Sequence, residues 1–308
     1  MIYLHHYPAS LFSEKIRALL GYYQLTWQSV EISSIMPRPL LMPLSGGYRR
    51  TPVLQIDANV YSDTKIICRA LARLTGDTGL YPEQLGFAAH RTADWADTTL
   101  FRVTVALNFR PEALVAMMGN FSEEEAAAFA KDRAELSGDA PIASLSPQAA
   151  LAYLDHALTE LESGLAGAEF LMGDRPCIAD FSVYHNLWFL KNNPVNAPLL
   201  DGYSQVQAWY ARMAAFGHGD MNESTGDAAL QAALNALPEL PALTPAPNFA
   251  FASGQQVSVT PVDYGCIPVA GELVASDHQE VVIARETPET GPVYNHFPQA
   301  GFSVDPVS

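Results

Sequence analysis

Cysteine is scarce in this chain. Cys68, Cys177 and Cys266 stand far apart with no C-x-x-C pair, which excludes a disulfide framework and a thiolate zinc site and makes a reducing, cytoplasmic compartment the expectation. Long apolar runs are missing too. None approaches about 18 uninterrupted apolar residues, so no membrane span and no membrane partner are expected. Met1-Ile2-Tyr3-Leu4-His5-His6 lacks the basic and extended apolar segments of a secretory leader. Positive charge is also in short supply: 17 Lys and Arg face 33 Asp and Glu, for a net charge of −16. So acidic a chain repels phosphate backbones, which argues against a nucleic-acid partner. The deficit is uneven. Residues 1–85 hold eight cations and six anions, +2, and the remainder nine and twenty-seven, −18. An anionic small ligand therefore belongs in the first part of the chain.

What is present is a globular composition, 49% hydrophobic and 16% charged over 308 residues, enough for two domains and a small module. Ile2–Tyr7 reads as a short strand broken at Pro8-Ala9-Ser10, and Ser13–Gly21 as a helix closed by its glycine. Trp27–Ile32 alternates as a second strand. After a Pro/Gly-rich loop from Ser33 to Gly47 come a strand from Pro52, a turn at Ala58-Asn59, a strand near Tyr61 and a helix from Asp63 to Leu74. The order βαβ, loop, ββα suits a mixed four-stranded sheet with helices on its faces. From Glu83 the pattern is helical. Gly86–Met118, a stretch opening on Ser122-Glu123-Glu124-Glu125, Gln148–Leu161, Asp180–Leu190 and Tyr203–Phe216 give about five helices. The region 218–247, polar and then proline-rich, reads as a stiff linker. Strand-like runs at Val257–Thr260, Val269–Val274 and Glu280–Ala284 make the tail a small β-rich module or an arm packed on the helices. The expected class is α+β, with domains at 1–80 and 83–217, the linker, and the extension at 248–308.

Three constellations carry chemistry. Ser10 stands at a strand-to-helix junction, where free N–H groups and the helix dipole favour an anion. A hydroxyl there lowers a thiol's pKa by hydrogen bonding to the thiolate, although a bare N-cap has the same appearance. Arg49-Arg50-Thr51-Pro52 opens a strand on proline: a cis bond would turn backbone groups toward a peptide-like ligand, and an edge-strand proline is the plainer alternative. Arg50 suits a carboxylate or simple solvation. Ser62-Asp63-Thr64 opens a helix, as ligand contact or as cap. His5 and His6 are adjacent on a strand and point to opposite faces, so no metal site is expected. Trp95, Phe101 and Phe109 recur at near-helical spacing, as core or as the wall of an apolar cleft. Asp263-Tyr264-Gly265-Cys266 reads as a turn.

Order and spacing together resemble the glutathione transferase family. Tyr7-Pro8-Ala9-Ser10, Thr51-Pro52-Val53-Leu54 and Asp63-Thr64-Lys65-Ile66-Ile67 match its thioredoxin-like domain. Phe170–Phe181, with Gly173-Asp174-Arg175-Pro176-Cys177-Ile178-Ala179-Asp180-Phe181, is similar to the capping segment of its helical domain, and Leu80-Tyr81-Pro82 to its interdomain link. The resemblance covers residues 1–216 and implies a cis Pro52, with the Thr51 backbone on the cysteinyl unit of glutathione. It also implies Arg50 at the glycine carboxylate, Asp63 and Thr64 at the γ-glutamyl end, and Ser10 polarising the sulfur, with Tyr7 as the other candidate hydroxyl. Thr51 stands where valine is usual, and Cys177 where Ser or Thr is. A homodimer acting on a small hydrophobic electrophile follows from the resemblance, without a metal. The second reading is a non-catalytic scaffold of the same fold that docks a partner through its C-terminal extension.

Overall fold

A computed structural model of the chain describes residues 1–119, 121–138, 140, 145–244 and 249–307. In its first strand, β1 (Ile2–His6), Ile2 and Leu4 enter one core and Tyr3 a second, the period-two pattern of a strand buried on both faces. Helix α1 (Leu11–Tyr22) returns the chain to β2 (Thr26–Glu31), which pairs parallel with β1. After the short α2 (Met42–Ser45), β3 (Val53–Ile56) runs antiparallel to β1 and β4 (Asn59–Ser62) antiparallel to β3. Helix α3 (Thr64–Thr75) closes the expected thioredoxin-like βαβ–ββα order. Pro52 is therefore no edge proline, because β3 has a strand on either side.

Gly21 does not close α1. The helix continues to Tyr22, and a Cβ at Gly21 would lie 2.1 Å from the Gly217 carbonyl oxygen. The glycine serves a close backbone approach and not a cap.

The helical region holds α4 (Gly86–Trp95), α5 (Phe101–Asn108), α6 (Pro111–Met117), α7 (Glu123–Ser137), α8 (Pro147–Gly164), α9 (Ile178–Lys191) and α10 (Ser204–Ala214). The stretch expected as one helix, Gly86–Met118, is three. A π-helical turn at Ala96–Leu100 leads α4 into α5, and extended Arg110 (φ −66°, ψ 151°) precedes Pro111 at the start of α6. Proline disfavours helical backbone in the residue before it, so it suits a helix start better than an interior. Ser122 and Glu125 form the reciprocal cap of α7. In the Phe170–Phe181 segment, the buried Asp180 carboxylate accepts from the N–H groups of Leu171 and Cys177 and from the Trp209 indole, each at 2.9 Å. These bonds tie the segment to the start of α9 and to α10, with the reciprocal cap between Cys177 and Asp180.

The linker expectation over 218–247 is corrected for its first half. Asp220–Ser224 forms β5, parallel to β2, and Gly226–Leu234 forms α11, capped by Thr225 and burying Ala229, Leu230 and Ala233. Only backbone pairing makes Asp220–Ser224 a strand; its side chains are mostly exposed and carry no apolar alternation to read. Residues 245–248, the end of that linker and the proposed start of the extension, lie outside the described residues.

The tail is β-rich, with β6 (Gln256–Pro261), β7 (Val269–Ser276), β8 (Glu280–Thr287), β9 (Gly291–Pro298) and β10 (Phe302–Pro306). It does not sit on the helices as an arm. Strand β9 pairs parallel with β4, so one ten-stranded sheet runs β10-β6-β7-β8-β9-β4-β3-β1-β2-β5. Both edges of the thioredoxin-like sheet are thus covered by later chain, which removes two rows of unpaired backbone groups. Val53 and Val60 share the second core with Val257, Val281 and Phe297, while Leu54 faces α1 and the helices. Among the described residues no helix is long and apolar enough to cross a membrane.

Candidate functional site

The loop from β1 to α1 ends on Ser10, whose backbone is extended (φ −74°, ψ 117°) and whose Oγ accepts from the Ser13 N–H at 3.2 Å. Capping and chemistry do not exclude one another here. The cap uses an oxygen lone pair, whereas the Ser10 O–H meets no acceptor among the described residues and stays free to donate.

Arg17 of α1 pins this loop, donating to the Pro8 carbonyl at 2.9 Å and the Tyr7 carbonyl at 3.4 Å. It is held by Glu14 at 2.9 Å and lies 3.0 Å from His6 Nδ1. Burial, reinforced by the Arg17 cation, brings the His6 imidazole down to about 3. Neutral His6 then accepts from Arg17 at Nδ1 and donates through Nε2 to Ser29 Oγ, 2.8 Å away. His5 instead meets Gln55 at 3.1 Å. Among the described residues no group of three or more His, Cys, Asp or Glu is placed to hold a metal ion.

The second constellation approaches from β3. The Thr51–Pro52 peptide is cis, and Thr51 Oγ1 accepts from Arg38 Nη1 at 2.8 Å. Arg38 is buried and donates also to the Ser33, Ser34 and Arg49 carbonyls. Arg49 is no solvated residue either: it reaches Asp132 of α7 at 2.6 Å.

The third constellation is Asp63-Thr64. Asp63 holds φ +89° without being a glycine, a conformation sparsely populated by residues with a side chain. Its Oδ1 caps α3 by accepting from the Lys65 N–H at 2.9 Å, and Thr64 is the buried first residue of that helix. Burial raises the Asp63 carboxyl, opposed by the Arg50 guanidinium 3.8 Å away.

These residues meet on two adjoining cavities. A small cleft of about 70 Å³ is lined by Phe12, Pro52, Asp63, Thr64, Asp97 and Tyr264. A larger cleft of about 350 Å³ takes in Tyr7, Ser10 and the rings of Phe101, Phe109 and Phe129. Arg50, Thr51 and Tyr264 border both. All seven residues singled out from the sequence are thereby brought together. Phe101 and Phe109 are cleft wall, whereas Trp95 is core, its indole donating to the Tyr153 hydroxyl at 2.8 Å.

Sequence reasoning missed three contributors. Asp97, in the π-helical turn, sits 2.7 Å from Lys15 Nζ and 3.1 Å from His185 Nε2. Burial pushes its carboxyl up, but Lys15 and His185 outweigh this and hold it below the usual carboxylate range. Asp263 and Tyr264, expected as a mere turn, reach the site from the extension. No local pattern signals any of the three.

The sequence matches the family models described as glutathione S-transferase, N-terminal domain, over residues 4–79 and glutathione S-transferase, C-terminal domain, over residues 125–212. No curated protein matches. Among solved structures, a GST-like protein from Pseudomonas syringae is 39% identical, covering 99% of this chain and 100% of its own, with a TM-score of 0.82. A glutathione S-transferase from Rhodospirillum rubrum and FzlA from C. crescentus are each 18% identical over 70% of this chain and 88% of theirs, with a TM-score of 0.53. These last two share the fold alone, whereas the Pseudomonas match runs over nearly the whole chain, the C-terminal strands included. With both family models matched in order and a relative aligned end to end, the chain belongs to the glutathione S-transferase family.

Proposed function

We propose that the chain is a glutathione-dependent transferase that activates the glutathione thiol for attack on, or reduction of, a small hydrophobic electrophile. The supporting observation is the meeting of a free Ser10 O–H, the cis Thr51–Pro52 segment and the Asp63-Thr64 helix start beside an apolar cleft. The Thr51 backbone pairs with the cysteinyl unit, Arg50 takes the glycine carboxylate, and Asp63 and Thr64 hold the γ-glutamyl end. Asp63 is suited to an ammonium group because it remains an acceptor after capping α3. The electrophile lies against Phe101 and Phe109.

The chemistry asked of the protein is modest. An ordinary thiol with a pKa of about 8.5 is only slightly ionised at neutral pH. Ser10 O–H donation at the α1 N-terminus stabilises the thiolate, and a shift of one to two units corresponds to about 1.4–2.7 kcal/mol. Tyr7 borders the same cleft and is the alternative donor. Ser10→Ala is expected to lower conjugation of a dinitro-activated aryl chloride about 10- to 100-fold at neutral pH and to move the pH–rate profile alkaline by one to two units. If Ser10→Ala leaves both unchanged and Tyr7→Phe abolishes turnover, the phenol is the activating group.

The family supports a homodimer, a cytoplasmic location and a role in detoxification as parts of this proposal. The scaffold reading is not favoured, because the extension offered as a docking element pairs within the chain's own sheet.

A further inference from the structure

The cation at Arg50 is already answered from within the chain. Its Nη2 meets the Asp263 carboxylate and the Tyr264 carbonyl, and Nε donates to that same carbonyl at 3.1 Å. The guanidinium carbon lies 3.9 Å from the Tyr264 ring centroid. All these partners belong to one loop, 262–268, between β6 and β7. The loop is braced across the cleft: the Gly265 N–H donates to the Leu136 carbonyl of α7 at 2.8 Å, and the Tyr264 ring stacks on Phe101 at 6.3 Å. With the loop in place the small cleft has about 70 Å³, against about 300–1,000 Å³ for typical small-molecule sites. Asp263 and Tyr264 fill the donor side of Arg50 that a ligand's carboxylate would take. Yet the closure is light, because the Asp263 side chain is 45% exposed and water screens such a pair.

We propose that Asp263 is an internal competitor for the ligand's carboxylate at Arg50, so that loop 262–268 closes the small cleft and glutathione enters by displacing Asp263 and Tyr264. This rests on the reading that Arg50 takes the glycine carboxylate of glutathione. It makes Asp263 and Tyr264 residues that set the affinity threshold, and a ligand that brings its own carboxylate recovers at Arg50 what opening the loop gives up. A thiol whose carboxylate is masked opens the loop at a loss.

The test is calorimetric titration of the full-length wild type and Asp263→Asn with glutathione and with its glycyl ethyl ester, joined to amide hydrogen exchange of 262–268. A loop closed in about nine molecules of ten raises the apparent Kd about tenfold. Asp263→Asn is therefore expected to bind glutathione and its ester each up to about tenfold tighter, with the preference for glutathione over the ester kept, since that preference comes from Arg50. Saturating the wild type with glutathione is expected to speed exchange in the loop. Unchanged or weaker glutathione binding by Asp263→Asn, with loop exchange slowed or unaltered on saturation, makes Asp263 a plain structural tether and overturns the proposal while leaving glutathione as ligand. Absence of binding heat from glutathione in both proteins overturns the glutathione reading itself, and the proposal with it.

Discussion

Lys15 and Asp97 face each other 2.7 Å apart at 1% and 8% side-chain exposure, with Asp97 on the wall of the small cleft. A buried pair of this kind returns little net stability against an apolar substitute, but removing one partner strands the other charge. Asp97→Asn is expected to destabilise the fold by about 3–5 kcal/mol in urea unfolding. A Lys15→Met, Asp97→Leu double variant is expected to recover most of that loss. A single variant as stable as the wild type would show that water reaches Lys15. Residues within one window, Ser10, Thr51-Pro52 and Asp63-Thr64, were legible as site candidates because each stands at a strand or helix start whose chemistry is local. Lys15 and Asp97 are separated by 82 positions, and neither carries a mark of the other.

At the scale of elements, α1 shows how one residue is read in two ways. Glycine at the end of an apolar stripe predicts a helix end, yet Gly21 lies inside the helix, where alanine gains about 1 kcal/mol in propensity. Its missing Cβ admits the Gly217 carbonyl, which a Cβ would approach at 2.1 Å, and the Phe216 carbonyl at 2.6 Å. Backbone does not yield as a side-chain tip does. Gly21→Ala is thus expected to lower Tm despite the better helix former, with a net loss of about 1–3 kcal/mol. A raised Tm would mean that the α10–β5 connection moves aside freely. Elements with a strong internal period, such as α3, α8 and β3, came out close to their expected ends. The weak ones did not: β5 has no period, and the π-helical turn at Ala96–Leu100 interrupts a pattern that reads as continuous helix.

Over the whole molecule, the C-terminal strands complete a sheet that the first 80 residues begin. Arg73 of α3 pairs with Glu280, which also holds His296 at 2.7 Å, and His296 stacks on Tyr61 at 4.3 Å. The join between β4 and β9 is therefore polar and buried as well as hydrogen-bonded. A chain ended after Asn235 leaves the β4 edge unpaired and uncovers Val53 and Val60. It is expected to aggregate or to lose cooperative unfolding, as judged by light scattering and thermal melts. A monodisperse truncated protein with the wild-type Tm would show that the first sheet stands alone and that the strands serve only the cleft.

The amino-acid sequence by itself determined the βαβ–ββα order, the helical region that follows it, the β-rich character of the tail and the residues at each strand-to-helix junction. These depend on propensity, period and capping within a few turns of chain. Tertiary structure alone decided that β5 and β9 border the first sheet, that Asp97 lines the small cleft and that Asp263 closes over Arg50 from 213 positions away. Backbone pairing and ion pairing across such separations depend on which surfaces the fold brings together, and no window of sequence contains both partners.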